Sequence, residues 1–426
     1  MNKFASGPIS IIAICLVLVG CGGVSTTHNS PQGSTQDSQV PRSGIKNLII
    51  VVMQNSSFDH LFGTYPDANG PDASVPNYQQ ADHSGKMVSP VLLSNLSPLD
   101  LPHTQASYQV AYDSGKMDKY AWENGDIAMG YYNNSSVGTA DDGRQFGVNK
   151  LWSYAQQYAL ADNFFASAMA SEPSNMLYMV AADVGTDNDP FGYPQLDACS
   201  SILYQQNQEG GATITPPLNF QSVGDQLSAV GTTWAFAQES FSTTQLGDCT
   251  AYVPQENPFQ YFQSTANSAN VRGFSLNNFG SELSSGTVPS VLWIQPAPGH
   301  SMHPGSGNIA NGIEWLDDLV QSVKNSPIWP NSAILVVWDE SGGWYDHVAP
   351  PQLSGTLGLG ARVPVLLISP FAKTNYISSQ QMDFVSILRF IQWNWALGQF
   401  GDAGQAAREA QSGDICDLLN TTCAGP

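Results

Sequence analysis

Four stretches of the chain are apolar over strand length and end abruptly in polar or turn-forming residues: Leu48–Met53, Val291–Ile294, Ala333–Trp338 and Val363–Ile368. Continuous runs of this kind suit strands buried on both faces, as in a parallel sheet. Ahead of the third run, Ile309, Ile313, Leu316, Val320 and Val323 recur at helical spacing, which predicts a β-α-β unit. A second helix is predicted over Asp383–Leu397. Ile387, Leu388, Phe390, Ile391 and Trp395 form its buried face, and Asp383 or a neighbour forms its cap. From about 183 to 288 the sequence is rich in Gly, Ser, Gln and Pro without strong periodicity, and it reads as an irregular insertion or cap. No internal repeat is found. The alternation predicts an α/β fold, a three-layer α/β/α arrangement with a mostly parallel central sheet.

In open α/β sheets ligands bind outside the carboxyl ends of the strands. Gln54-Asn55 follows the first run and Asp339-Glu340 the third, so two remote segments are expected on one edge of the sheet. Adjacent carboxylates just past a buried strand are costly to bring together unless a cation neutralises them. The glycines of Ser341-Gly342-Gly343 then let the backbone approach a ligand closely. A solvated acidic turn is the plainer reading of an Asp-Glu pair. The strand before it and the Gly-Gly-x-x-Asp346-His347 after it favour a site.

The ends of the chain add an address. Lys3 precedes an apolar run, Ile11–Val19, too short to span a bilayer comfortably. Leu18-Val19-Gly20-Cys21 resembles a bacterial lipobox, which predicts a signal peptide over 1–20 and a membrane anchor through lipid on Cys21. An ordinary secretory signal with an incidental cysteine is the alternative. Residues 21–43 read as a flexible tether, 44–400 as the folded domain and 401–426 as a C-terminal tail. The expected location is the bacterial cell envelope, on the outer membrane or cell surface or released from it. With 35 acidic residues against 14 Lys+Arg the net charge is -21, which disfavours nucleic acid and anionic membrane surfaces as partners. Setting aside Cys15 and Cys21 leaves Cys199, Cys249, Cys416 and Cys423, an even number that suggests two disulfides. Three pairings are open, of which 199 with 249 and 416 with 423 close the shortest loops. A zinc site is the weaker reading, since no C-x-x-C spacing occurs.

The segment Trp338-Asp-Glu-Ser-Gly-Gly-Trp-Tyr-Asp-His-Val-Ala-Pro-Pro351 resembles a signature of the phosphoesterase family that contains bacterial phospholipases C and metal-dependent acid phosphatases, in the alkaline-phosphatase-like superfamily. The opening stretch from Ile45 to Thr64 resembles the family's Glu-Asn-Arg-Ser-Phe-Asp-His block, with Asn55 in the place of the ligand asparagine and Gln54 in that of the ligand glutamate. Leu101-Pro-His103 with Gly115-Lys-Met-Asp118, and Ala161 to Ser167, resemble further blocks in order. Ser171-Glu-Pro173 takes the place of the family's Thr/Ser-x-Pro; one extra residue follows, so Ser174 is a rival to Ser171. His303-Pro304 stands where the family has Glu-His-Pro, and Met302 replaces the glutamate. The resemblance runs from about Ile45 to Trp395.

It implies an alkaline-phosphatase-like fold and a phosphoester substrate, a phosphomonoester or a phospholipid. It also implies one divalent metal ion, held by Gln54, Asn55, Ser171, Asp339 and Glu340. Oxygen-rich ligation favours Mg²⁺, Ca²⁺ or Mn²⁺. Ser171 is the expected nucleophile, passing through a phosphoseryl intermediate, with His103 or His303 as general acid or base. His347 is a further catalytic candidate or an orienter of the Asp-Glu loop. Larger family phospholipases carry extra C-terminal domains, so a chain ending soon after Trp395 leans toward the acid-phosphatase type. Tyr108, Tyr112, Tyr120 and Trp122 could line a choline pocket, with core packing the plainer reading. Two competing functions are a catalytically degenerate surface-binding protein on the same fold, suggested by Gln54, and a serine carboxylesterase. The latter is disfavoured by the absence of a G-x-S-x-G elbow.

Overall fold

The computed structural model describes residues 40–185, 192–207, 213–241, 249, 252–353 and 357–423. The expected signal peptide, Cys21 and most of the expected tether lie outside the described residues. No helix among the described residues is long and apolar enough to cross a membrane.

The four apolar runs all form strands of one eight-stranded sheet. In chain order its strands are β1 (Asn47–Met53), β2 (Ala159–Ala161), β3 (Trp234–Glu239), β4 (Val271–Phe274), β5 (Val291–Gln295), β6 (Ser332–Trp338), β7 (Val365–Ile368) and β8 (Tyr376–Ser378). Across the sheet they run β4-β3-β5-β1-β6-β7-β2-β8. All are parallel except β7, which opposes both β6 and β2. Leu48 through Met53 are completely buried, as are Ala333 through Trp338, which is why these segments show no apolar–polar alternation.

The helices that bear on the site are α1 (Gln105–Tyr112), α2 (Val148–Gln157), α3 (Glu172–Ala181), α4 (Leu276–Ser285), α5 (Ile309–Lys324) and α6 (Phe384–Asn394). The α5 crossover joins β5 to β6 on either side of β1, the expected β-α-β unit, and it buries Ile309, Ile313, Leu316, Val320 and Val323. Asp383 caps α6, its N–H donating to Ser386 Oγ over 3.0 Å.

The region expected to be an irregular insertion also supplies β3 and β4, two strands of the main sheet. Residues 401–423 are packed against the body. Gln405 Nε2 donates to Ala181 O at 2.6 Å, and Arg408 is ion-paired with Asp383. The disulfides are Cys199–Cys249 and Cys416–Cys423, the two shortest loops.

Candidate active site

The first and third apolar runs are neighbours, β1 pairing with β6 along its whole length up to Met53 and Trp338. The polar residues that follow them therefore meet. Asn55 N–H donates to Asp339 Oδ1 at 2.9 Å, and the same oxygen accepts from Glu340 N–H at 2.7 Å. Asn55 adopts a left-handed backbone, φ 57°. Gly342, at φ 64°, packs so closely on it that a Cβ there would lie 2.6 Å from Asn55 O. Gly342 N–H in turn donates to Glu340 Oε2 at 2.7 Å.

Gln54, Asn55, Asp339 and Glu340 are each about 1% exposed. Burial, reinforced by the nearby Glu172 carboxylate, pushes Asp339 up to about 8, and burial pushes Glu340 up to about 7 against the pull of His103. Glu340 Oε1 and Asn55 Nδ2 have no hydrogen-bond partner. Two sealed carboxylates with an unused oxygen, beside an asparagine, are a donor set that fits a hard divalent cation.

His103 is brought to this edge by the signature glycines. Gly343, φ 75°, sits where a Cβ would be 2.6 Å from Pro102 O, and Asn124 Nδ2 ties Gly343 O to Pro102 O at 3.0 and 3.2 Å. His103 Nδ1 bonds Leu101 O at 2.6 Å. Burial works against its charge, yet Glu340 and Glu172 together raise it to about 9 and so favour its imidazolium form. His303 arrives from the loop after β5. That loop is stapled to Gln54 twice, by Gln54 N–H to Ser301 O at 2.9 Å and by Ser301 Oγ to Gln54 Oε1 at 2.6 Å. The two imidazoles face each other edge to face, centroids 6.3 Å apart, and with Asp100 they present ligand-type atoms within 4.8 Å of one another. Met302, standing for the family's glutamate, is 3% exposed and close to Gly312 of α5. His300 pairs instead with Glu239 at 2.8 Å.

Ser171 is the N-cap of α3 and half-buried, whereas Ser174, one turn in, is fully buried. Asn175 holds the approach to the helix, its Oδ1 accepting from Ala168 N–H at 2.8 Å and its Nδ2 donating to Ala170 O at 3.1 Å. A helix N-terminus directs N–H groups and a positive partial charge at whatever it faces. Glu172, the first residue of α3, is half-buried and acts electrostatically on Asp339, His103 and Glu256, so this helix end and the strand ends share one site.

His347 is held elsewhere. Its Nδ1 and its N–H both bond Asp59 Oδ2 at 2.7 Å. Fully buried Arg362 bridges Asp59 at 2.8 Å and Asp346 at 2.9 Å, and donates to Asn69 O and Asp162 O. Ser57 Oγ donates to Tyr345 O at 2.6 Å. This network ties the loop after β1 to the loop after β6.

Of the four aromatic residues considered for a choline pocket, Tyr108 and Tyr120 are core. Trp122 is 41% exposed and leans on His83. Tyr108 OH accepts from Ser341 Oγ at 3.3 Å.

Sequence reasoning missed three residues. Arg362 lies directly before the β7 run, where a lone cation in an apolar stretch was the available signal. Glu172 sits between Ser171 and Pro173, masked by attention to the hydroxyl. Glu256 comes from the region read as irregular, and no local pattern marks it.

Among curated proteins the chain is 24% identical to the non-hemolytic phospholipase C of Pseudomonas aeruginosa, over 88% of this chain and 57% of that one. It is 23% identical to phospholipase C A of Mycobacterium tuberculosis, over 82% of this chain and 72% of that one. The chain thus spans little more than half the length of the Pseudomonas relative. Among solved structures, a protein in the alkaline phosphatase superfamily from Vibrio parahaemolyticus aligns with TM-score 0.41 at 11% identity, over 86% of this chain and 70% of that one. Residues 45–398 match the Phosphoesterase family, and the chain belongs to that family.

Proposed function

We propose that the chain is an extracytoplasmic hydrolase of phosphoric esters, using a divalent cation held by Asn55, Asp339 and Glu340 with Gln54 and Ser171, and Ser171 as nucleophile. The observation that carries this reading is the sealed Asn55–Asp339–Glu340 cluster, with Asn55 N–H on Asp339 Oδ1 and Glu340 Oε1 left for a ligand. When bound, the cation would lower the pKa of the serine hydroxyl and offset charge on the phosphoryl oxygens.

The chain's own residues then divide the work. Ser171, its hydroxyl proton already released to solvent, attacks phosphorus through Oγ, and the P–O bond to the leaving alcohol breaks. The alcohol takes a proton from an imidazolium, for which His103, raised to about 9 by Glu340 and Glu172 against its burial, is suited; His303 stands beside it. Water hydrolyses the phosphoseryl group, its proton returning to the histidine, and inorganic phosphate or a phosphomonoester leaves. The N-terminus of α3 favours the negative charge that develops there. His347, paired with Asp59, orients the loop and does not transfer protons.

The substrate class is a phosphomonoester or the headgroup ester of a phospholipid, the latter supported by relatives that are phospholipases C. Export as a lipoprotein anchored through Cys21 places such substrates within reach. Hydrolysis of an aryl phosphate and of phosphatidylcholine, each with and without chelator, tests the reading. Metal-dependent turnover of at least one is expected, and none across a pH series would leave a surface-binding protein on this fold. Gln54 in place of a carboxylate is the observation that favours that second reading.

A further inference from the structure

Glu256 lies in Pro254-Gln-Glu-Asn-Pro258, where two prolines bracket short 3₁₀ turns and restrict the backbone on either side. The turns fold its carboxylate inward, 3% exposed, onto the carboxyl ends of β3, β5 and β1. Three glutamines meet it there. Gln238 and Gln295 are register partners at the ends of β3 and β5, Gln54 follows β1, and each is 1% exposed. Gln54 Nε2 donates to Glu256 Oε1 at 2.6 Å, and Gln238 Nε2 donates to Glu256 Oε2 at 3.0 Å.

Among the described residues no lysine, arginine or histidine forms an ion pair with Glu256. A buried carboxylate surrounded by neutral amides is unstable as an anion unless a cation lies nearby. Gln238 Oε1 lacks a hydrogen-bond partner, as do Asn55 Nδ2, next to Gln54 in the chain, and Glu340 Oε1. Burial, reinforced by the Glu172 and Asp339 carboxylates, holds the Glu256 carboxyl well above the usual carboxylate range.

We propose that Glu256 is a positioning residue of the cation site, holding Gln54 from behind and, with the cation bound, supplying the negative charge that position 54 lacks. By accepting from Gln54 Nε2 it fixes which end of that amide faces which neighbour. Nε2 points to Glu256, and Oε1, shared with the Ser301 hydroxyl, is turned away as the oxygen available to a cation. The carboxylate also polarises the amide and makes Oε1 a better donor. Partners that orient a ligand in this way typically contribute about 10–100-fold in metal affinity.

The inference presupposes the divalent cation proposed above, and one set of titrations separates the two. Mn²⁺ binding to the full chain is measured by calorimetry, with melting temperature in chelator as the control for folding. Glu256→Gln is expected to weaken Mn²⁺ binding at least about tenfold while melting cooperatively in chelator. The exchange Gln54→Glu with Glu256→Gln keeps the amide–carboxylate hydrogen bond and moves only the charge; it is expected to bring the affinity back to that of the natural protein or above. Should Glu256→Gln fail to fold, the exchanged pair against Gln54→Glu, Glu256→Ala carries the comparison. Unchanged Mn²⁺ affinity in Glu256→Gln, or no recovery in a folded exchange, overturns the inference while the metal reading stands. No Mn²⁺ binding by the natural protein overturns both.

Discussion

Asn55 and Asp339, 284 residues apart in the chain, are joined by a 2.9 Å bond from a main-chain N–H to a carboxylate oxygen. The bond exists because β1 and β6 are paired in register up to Met53 and Trp338, so the residues that follow the two strands turn the same corner. Site geometry here is inherited from strand register, and substitutions that disturb the corner should act on the chemistry.

Gly342→Ala tests the corner. The residue sits at φ 64° with a Cβ position 2.6 Å from Asn55 O, so alanine is strained by its backbone and by contact. A loss of about 1–3 kcal/mol in urea unfolding is expected, together with weaker metal binding. Stability equal to that of the natural protein would contradict the packing described.

The two serines are separated by their burial. Ser171→Ala should lower turnover of an aryl phosphate at least about a thousandfold, in line with the loss of a nucleophile. Ser174→Ala, inside the first turn of α3, should change kcat less than about tenfold and lower the melting temperature instead. Full phosphatase activity in Ser171→Ala would remove the serine mechanism.

The carboxylate pair sets a pH dependence. Burial, with Glu172, holds Asp339 near about 8, and burial holds Glu340 near about 7, while in the unfolded chain both titrate near ~4. Between these limits the folded state binds more protons, so the metal-free protein should lose stability as pH rises from about 4 to 8. A divalent cation displaces those protons and cancels the loss, so its affinity should strengthen over the same window. Melting curves in chelator and in Mn²⁺ from pH 4.5 to pH 8.5, roughly the window set by linkage, should diverge toward high pH. Parallel curves would refute it.

Arg362→Met leaves Asp59 and Asp346 buried without their cation and should cost about 3–5 kcal/mol. His347→Asn should likewise lower stability while kcat on aryl phosphate falls less than about tenfold. A large loss of kcat in a fully folded His347→Asn protein would return that histidine to the chemistry.

Much of this was legible before any coordinates. Ile49, Val51, Val336 and Leu367 lie in unbroken apolar runs because both sheet faces are covered, and the polar residues after β1 and β6 mark the ligand-binding edge. The reversal of β7 was not legible, since a fully buried strand looks alike in either direction. Nor were β3 and β4: Trp234-Ala-Phe-Ala-Gln-Glu is short and ends polar, and Val271-Arg-Gly-Phe contains a charge and a glycine. Glu256 and Glu172 take their meaning from neighbours remote in the chain, which no local pattern encodes. The hydroxyl-x-Pro spacing favours Ser171 over Ser174, and what the fold adds is that Ser171 is half-buried and Ser174 fully buried.

The Asp59–Arg362–Asp346 network changes what the family's motifs certify. Phe58-Asp59-His60 and Tyr345-Asp346-His347 are among the letters by which a member is recognised, yet in three dimensions their carboxylates clamp two loops around a guanidinium. A descendant that had given up hydrolysis would still need that clamp to stay folded and would go on spelling both motifs. Kinship is therefore written in the clamp, and under the reading proposed above catalytic competence has to be read elsewhere, at position 54 first, where this chain departs from the family's block.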